Sequence, residues 1–146
     1  MQTFLPIDDF RKSLQCLDYR RLGKQRVEAF QLLCANGDSW ALKERVLRSL
    51  PDKKVGWQNH PAAIMWRPFT QALRLYYNIS INEWVSRGYN NTMNKAPIDE
   101  KIDLPHWFGN QNFHSSHRAA LLFKQFNFYS QFGWTESPAL NYIWPK

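Results

Sequence analysis

The sequence predicts a mainly α protein: a compact, single-domain helical bundle with long ordered loops and an aromatic C-terminal tail. Apolar residues recur in several segments with the spacing of a helix face, and no segment of useful length alternates as a half-buried strand does. Hydrophobic residues make up 44% of the chain, which is enough to bury a core. A length of 146 residues suits one domain and leaves little room for two, so we expect residues 1–146 to form a single domain.

Capping and stopping residues divide the first part of the chain into three predicted helices. An aspartate at position 8 or 9 can cap a short helix that carries apolar residues as far as Leu17. A longer helix over 18–35 ends at Asn36-Gly37, a pair that favours a left-handed cap. The third helix starts at position 38 or 39 and continues through Leu50, before a proline.

Prolines and glycines set the boundaries further along the chain. Pro61 suits the first position of a helix, and Pro68 breaks that helix near Arg67. The helical period resumes at Phe69 and stops at Gly88.

The last third of the chain combines a loop, a helix and a tail. Residues 89–112 are rich in proline and asparagine, which predicts a long ordered loop. A last helix is predicted from about Ser115 to Gln131. We expect the aromatic tail over 134–144 to pack across the body of the protein.

The charge balance indicates an anionic partner. Lys and Arg together number 19 against 12 Asp and Glu, which gives a net charge of +7. Aromatic residues make up 16% of the chain, more than a core of this size needs. A small, basic, aromatic-rich domain favours nucleic acid as the partner. Charge alone leaves a DNA enzyme, an RNA binder and a membrane-surface protein open.

Cysteine content and hydropathy bear on location. Cys16 and Cys34 are too few for a disulfide scaffold or a closed zinc site. The first residues show no signal-peptide pattern, and no apolar run approaches the roughly 20 residues that span a bilayer. We therefore expect a soluble, intracellular protein of the cytoplasm without a membrane partner.

The helix predicted over 18–35 carries the first candidate site. At about 100° per residue, one arc is expected to face the core and collects Tyr19, Leu22, Phe30 and Leu33. A different arc holds polar and charged side chains, namely Arg20, Arg21, Lys24, Glu28 and Gln31. Three cations beside one carboxylate suit a phosphate backbone with an acid next to it. A solvated helix face with an i, i+4 pair of Lys24 and Glu28 is the alternative.

Arg26 departs from this pattern because it points toward the apolar arc. It either extends its charge to solvent or is held by a buried acid such as Asp18 or Glu83. We expect a structural role for it.

The second candidate site is the start of the helix at Pro61. His60 and Asn59 beside Trp57 could read a base edge, contact a phosphate or, through the imidazole, shuttle a proton. A capping position with the tryptophan packed onto the helix is the alternative.

The third candidate site lies around two histidines at i, i+3 spacing. His114 and His117 could be metal ligands, but no third ligand or HExxH pattern accompanies them, so no metal is expected. A helix start capped by Ser115 or Ser116, with His117 and Arg118 near a phosphate, fits the charge better. A structural role for the pair remains the alternative.

Trp107 stands apart from the other tryptophans because it lies in the predicted loop. An aromatic ring on such a loop can stack on bases or wedge between them. Closure of a small hydrophobic lid is the alternative.

Several spaced motifs follow one another along the chain: Tyr19-Arg20-x-Leu22, Gly56-x-x-Asn59-His60-Pro61 and Glu83-Trp84-x-x-Arg87-Gly88-Tyr89. In this order they resemble the pyrimidine-dimer DNA glycosylase family of the endonuclease V type. The resemblance is closest to a branch that shares two later motifs, Phe113-His114-x-Ser116-His117-Arg118 and Tyr142-x-Trp144-Pro145. It covers nearly the whole chain and implies a compact, mainly α domain without a metal or another cofactor.

The resemblance also implies a chemistry. Members of the family bind damaged duplex DNA, extrude a base, cut the N-glycosidic bond and nick the backbone by β-elimination. Their nucleophile is the free N-terminal amine, which corresponds here to Met1, retained because Gln2 is not small; Lys24 is the other candidate amine. The family resemblance places Arg20, Lys24, His60 and Arg118 at the DNA surface.

One departure from the family pattern concerns the catalytic carboxylate. The family places a glutamate directly after the arginine that corresponds to Arg20, whereas this chain has Arg21 there. A guanidinium neither accepts a proton nor stabilises a positively charged sugar. Glu28, two helical turns on, or Asp18, one turn back, is the candidate replacement.

The sequence therefore predicts a protein that excises a damaged or modified base from duplex DNA, with or without AP-lyase activity, and without an obligate protein partner. The candidate DNA contacts are Arg20, Arg21, Lys24, Asn59, His60, Trp107, His117 and Arg118. A non-catalytic nucleic-acid binder and a nucleotide- or RNA-directed enzyme that uses its histidines are the alternatives.

Overall fold

The computed structural model describes residues 1–48, 55–99 and 101–145. In these ranges the chain consists of helices and loops without a strand, which confirms the predicted mainly α class. The α-helices in chain order are α1 Phe10–Gln15, α2 Tyr19–Ala35, α3 Ser39–Leu47, α4 Pro61–Trp66, α5 Thr70–Ser86, α6 Gln111–Lys124 and α7 Phe126–Tyr129. A 3-10 turn over Ser130–Phe132 follows α7.

Aspartate caps explain where the first three helices begin. Asp9, Asp18 and Asp38 each have an extended backbone and accept a hydrogen bond from the main-chain N–H three residues on. The predicted end of α2 is confirmed, since Gly37 takes the left-handed φ of 75°. The predicted end of the third helix at Leu50 lies outside the described residues.

Proline placement explains α4 and α5. Pro61 is the first residue of α4, and the side chain of His60 accepts the main-chain N–H of Ala62. The predicted break near Arg67 is confirmed, because α4 ends one residue before it and α5 begins three residues after it.

The last predicted helix is wrong at both boundaries. It begins at Gln111 because Asn110, rather than Ser115 or Ser116, accepts the main-chain N–H of Phe113. It ends before Gln125, whose backbone leaves the helical region with a φ of −154° and a ψ of 73°. Residues that were expected to continue one helix form α7 and the 3-10 turn instead.

The two long helices α2 and α5 pack against each other at the centre of the molecule. Leu22, Leu33, Leu73 and Tyr76 are fully buried between the surrounding elements. Helix α1 packs on α5, α3 packs on α2, and α4 contacts both long helices. The aromatic tail packs against this core through Trp134, Tyr142 and Trp144, as predicted.

In α2 the prediction for Tyr19 is wrong, and Arg26 has the predicted structural role but without the acid partner that was one of its two alternatives. Tyr19 is 49% exposed instead of facing the core. It is the first residue of α2, at the end of the helix rather than in its packed middle. Arg26 is held by an aromatic ring and an amide rather than by an acid. Its guanidinium lies 4.2 Å from the centroid of Trp84, and it donates to Oδ1 of Asn91 at 2.8 Å.

Candidate active-site cleft

An open cleft of about 1110 Å³ lies along the polar face of α2. The N-terminal segment forms a second wall, and the α6–α7 junction with Tyr142 of the tail forms a third. The cleft brings together the polar and charged residues of the arc predicted on α2, which are Arg20, Arg21, Lys24, Glu28 and Gln31.

The N-terminal segment is largely buried, and side chains from other elements supply its hydrogen bonds. The main-chain N–H of Phe4 donates to Oε1 of Gln25 at 2.8 Å, and that of Leu5 donates to Nδ1 of His117 at 2.9 Å. The indole N–H of Trp66 donates to the hydroxyl of Thr3 at 2.9 Å. These bonds fix the segment so that Met1 lies at the edge of the cleft.

Glu28 of α2 bonds to this segment through its carboxylate. Its Oε2 accepts the main-chain N–H of Gln2 at 3.2 Å and lies 3.4 Å from Nε2 of Gln25. Within the described part of the chain, no hydrogen-bond donor reaches its other oxygen. A half-buried carboxylate therefore lies next to the N-terminal residues, in the lining of the cleft.

His60 lies within electrostatic reach of the same group. Burial lowers the pKa of His60, the positive N-terminus lowers it further, and Glu28 opposes both effects. Because Nδ1 accepts the main-chain N–H of Ala62, the proton of the neutral ring is on Nε2. The imidazole caps α4 and packs between Trp57 and Trp144, while Asn59 is exposed in the turn before it.

Asp18 and Arg21 form part of the cleft wall as a pair. The carboxylate of Asp18 accepts hydrogen bonds from the hydroxyl of Tyr129 and, at 3.0 Å, from Arg21. Burial raises the pKa of Asp18, but these hydrogen bonds outweigh it and leave the pKa below its ordinary value. Arg21 also donates to Oε1 of Gln125 at 2.9 Å, which ties α2 to the α6–α7 junction. Both side chains are therefore engaged in holding the wall together.

Exposed cations surround the cleft. Arg20 and Lys24 lie on α2, and Lys124 lies at the end of α6, in another wall of the cleft. Three cations on two walls of one cleft favour the binding of a polyanion.

The side chain of Arg118 bonds to the N-terminal segment and to the tail instead of lying on an open surface. It pairs with Glu136 of the tail at 2.8 Å and donates to the carbonyl of Pro6 at 2.8 Å. Its charge is therefore shared, and its position ties α6, the tail and the N-terminal segment together.

His117 and Trp107 are buried, which argues against the predicted contacts with DNA. His117 is fully buried, and burial together with the neighbouring His114 lowers its pKa to about 3. Trp107 is 5% exposed and donates its indole N–H to the carbonyl of Met65 at 3.1 Å. His114 bonds to the carbonyl of Leu5, and the described residues contain no cluster of three potential metal ligands.

A family model for pyrimidine dimer DNA glycosylases matches residues 1–97 of the 146-residue chain. The chain belongs to this family. No curated protein and no solved structure matches it. The match covers the N-terminal segment, α2 and His60, whereas α6, α7 and the tail of this family member lie beyond it. Membership indicates a DNA repair protein of the glycosylase type with DNA as its substrate.

Other residues that line the cleft were not predicted. Gln25 lies on the buried side of α2 between Leu22 and Ala29, and a polar residue in an apolar stripe needs a partner, so this signal was present in the sequence. Lys124, Gln125 and Tyr142 reach the cleft only through the packing of α6 and the tail, for which the sequence carries no local signal. Among the helices that the structure describes, none is long and apolar enough to cross a membrane.

Proposed function

We propose that this protein excises a damaged or modified base from duplex DNA and then nicks the resulting abasic strand as an AP lyase. The observation that carries the proposal is the meeting of the N-terminal residue Met1, the carboxylate of Glu28 and a rim of cations in one cleft. Membership of the glycosylase family supports DNA as the substrate.

The cleft suits a nucleotide that has left the duplex. The C1′ atom of a stacked nucleotide is shielded on both sides, so the enzyme must extrude the target before it acts. A volume of about 1110 Å³ accommodates a nucleotide. Arg20, Lys24 and Lys124 hold the phosphates on either side of it.

The chemistry begins with the amine of Met1. Its nitrogen attacks C1′, the glycosidic bond breaks, and the base leaves with the bonding electron pair and takes up a proton. The nitrogen gives up two protons in turn: the first passes to the leaving base, and the second passes through the carboxylate of Glu28 to O4′ as the sugar ring opens, which gives an imine. Removal of a proton from C2′ then expels the 3′ phosphate, and water releases the amine from the imine.

Glu28 assists the step in which the sugar becomes positively charged. Its carboxylate stabilises this charge and accepts the proton that the amine releases. Glu28 accepts the main-chain N–H of Gln2 at 3.2 Å, so the carboxylate is bonded to the residue that follows the amine. This contact favours Met1 over Lys24 as the nucleophile.

A non-catalytic DNA-binding protein is the second candidate. The observation that favours it is the position of Arg21, which brings a positive charge to the cleft wall beside the site of a positively charged sugar. The pairing of Arg21 with Asp18 reduces this repulsion.

Borohydride trapping on a duplex with one abasic site tests the proposal. We expect a covalent adduct between protein and DNA, with peptide mapping that places it on Met1, and we expect Lys24→Gln to form it as well. An adduct on Lys24 would assign the nucleophile to that residue instead. If the protein binds DNA in a salt-dependent way but forms no adduct and releases no base from duplexes with damaged bases, the result would support the non-catalytic DNA-binding protein instead.

A further inference from the structure

An exposed stack of aromatic rings lies beside the cleft and is not used by the proposed chemistry. The rings of Trp84 and Tyr89 have centroids 4.4 Å apart with an interplanar angle of 34°. Tyr19 continues the series, at 6.0 Å and 35° from Tyr89. We call these three residues the aromatic stack.

The base of the aromatic stack is firmly held. The indole N–H of Trp84 donates to the carbonyl of Asn90 at 2.7 Å, and the guanidinium of Arg26 lies over the ring. Gly23 of α2 lets Trp84 lie against the helix, since a Cβ at this position would come within 3.0 Å of the ring. The stack is therefore a fixed part of the fold.

The outer end of the aromatic stack is open. Tyr19 is 49% exposed and Tyr89 is 39% exposed. Folding gains little from rings left in this position, because much of their apolar surface stays in water. Two neighbouring tilted rings, one of them packed on the anchored Trp84 and both partly exposed, form a platform for another planar group.

The surroundings of the aromatic stack indicate which planar group it accepts. Arg20, which lines the cleft, donates its Nε–H to the hydroxyl of Tyr19 at 3.1 Å, and its guanidinium lies 5.7 Å from that ring. Gly23 belongs to both the cleft lining and the floor of the stack. A cation for a phosphate next to a ring for a base is the arrangement that proteins use for unpaired nucleic-acid strands.

We infer that the aromatic stack is a seat, meaning a binding site, for one unpaired nucleobase. This base belongs to the nucleotide that is adjacent, in the same strand, to the nucleotide that enters the cleft. The strand passes from the cleft over Arg20, which holds the phosphate between the two nucleotides, and the neighbouring base stacks on Tyr19 and Tyr89. The inference rests on the proposed function in one respect, namely that the cleft receives a nucleotide of the same strand.

The test compares two duplexes that differ by one base. Both carry a two-nucleotide bulge: the first has a tetrahydrofuran residue followed by adenine, and the second has two tetrahydrofuran residues. Tetrahydrofuran has no aldehyde and forms no imine, so the measurement reports binding alone. We expect the wild-type protein to bind the adenine bulge roughly 5- to 150-fold more tightly, the range for stacking of one base.

Variants connect this preference to the rings. Tyr19→Ala and Tyr89→Ala should bring the affinity ratio of the two duplexes close to one, whereas Tyr19→Phe and Tyr89→Phe should keep it because they retain the ring. Phe123→Ala is the matched control, since this ring is exposed outside the cleft lining and should leave the ratio unchanged. Thermal unfolding of each variant checks that it is folded.

The outcomes separate this inference from the proposed function. A wild-type ratio near one, or a ratio that the alanine variants retain, would overturn the seat. If imine trapping succeeds while the affinity ratio of the two duplexes behaves in this way, the proposed glycosylase function stands and only the base-binding role of the aromatic stack is overturned. A tyrosine-dependent ratio in a protein that neither traps nor releases a base would support the seat and overturn the glycosylase.

Discussion

Oε1 of Gln25 accepts the main-chain N–H of Phe4 at 2.8 Å, while Nε2 of the same amide donates to the carbonyl of Gln2 at 3.1 Å. One side chain of α2 thus supplies the two hydrogen bonds that a neighbouring strand would supply. The hydroxyl of Tyr76 lies 2.6 Å from the same oxygen and helps to orient the amide. The location of Met1 depends on this arrangement.

Gln25→Ala should therefore reduce both stability and imine formation. The substitution leaves a main-chain N–H and a carbonyl unsatisfied in a buried place, so we expect the free energy of unfolding to fall by about 2–4 kcal/mol in urea titrations. Gln31→Ala on the exposed side of α2 is the control and should change stability by less than about 0.5 kcal/mol. Equal stability of the two variants would contradict the role assigned to Gln25.

Glu28→Gln should slow base release without weakening DNA binding. The amide keeps the shape of the side chain but neither carries the negative charge nor accepts a proton, so we expect the single-turnover rate to fall about 10²- to 10⁴-fold. Affinity for a duplex with a tetrahydrofuran residue should not fall. Glu44→Gln, on α3, is the control for loss of one negative charge. Full activity of Glu28→Gln would assign the carboxylate role to another residue.

His117 should make stability depend on pH. Its pKa is about 3 in the folded protein, because it is buried, and near 6.5 in an unfolded chain. Between these values only the unfolded chain takes up the proton, so stability present above pH 6.5 is lost as the pH falls, by about 1.4 kcal/mol per unit.

His117→Asn isolates this contribution. Oδ1 of asparagine can still accept the N–H of Leu5, but the side chain does not titrate. In urea unfolding between pH 4 and 7, the variant should lose less stability than the wild type as the pH falls. His106→Asn, at an exposed position, should keep the wild-type slope. Parallel curves for His117→Asn and the wild type would contradict the assignment.

Arg74→Met should destabilise the protein strongly. Arg74 pairs with Asp38 at 2.8 Å, and both side chains are buried. Methionine would leave the carboxylate of Asp38 buried without its cation, which costs about 3–5 kcal/mol. Lys43→Met, at an exposed position of α3, is the control and should have little effect. A loss below about 1 kcal/mol for Arg74→Met would show that Asp38 finds another partner.

Local sequence signals predicted the helices whose boundaries are set locally. Asp18, Pro61 and Gly37 act on residues within one turn, so the starts of α2 and α4 and the end of α2 followed from the sequence. The start of α6 did not, because Asn110 and Ser115 are both good caps and the choice between them depends on where the helix meets the core.

The candidate site was predictable to the extent that it lies on one helix. The period of α2 placed Arg20, Lys24 and Glu28 on one face, and they line one cleft. The period says nothing about distant partners, so it could not show that Trp84 holds Arg26 or that packing buries His117. For the same reason it missed Lys124, which reaches the cleft from another helix.

The positions of the cleft residues along the chain determine when the cleft can form during protein synthesis. Residues 1–31 provide two walls, and residues from Lys124 to Tyr142 provide the third. A ribosome makes residues 1–31 before residues 124–142, so a nascent chain that already contains α1–α5 still lacks the third wall of the cleft. The cleft is therefore completed only after α6, α7 and the tail have been made, and a product that ends before α6 would carry Met1 and Glu28 beside an incomplete cleft.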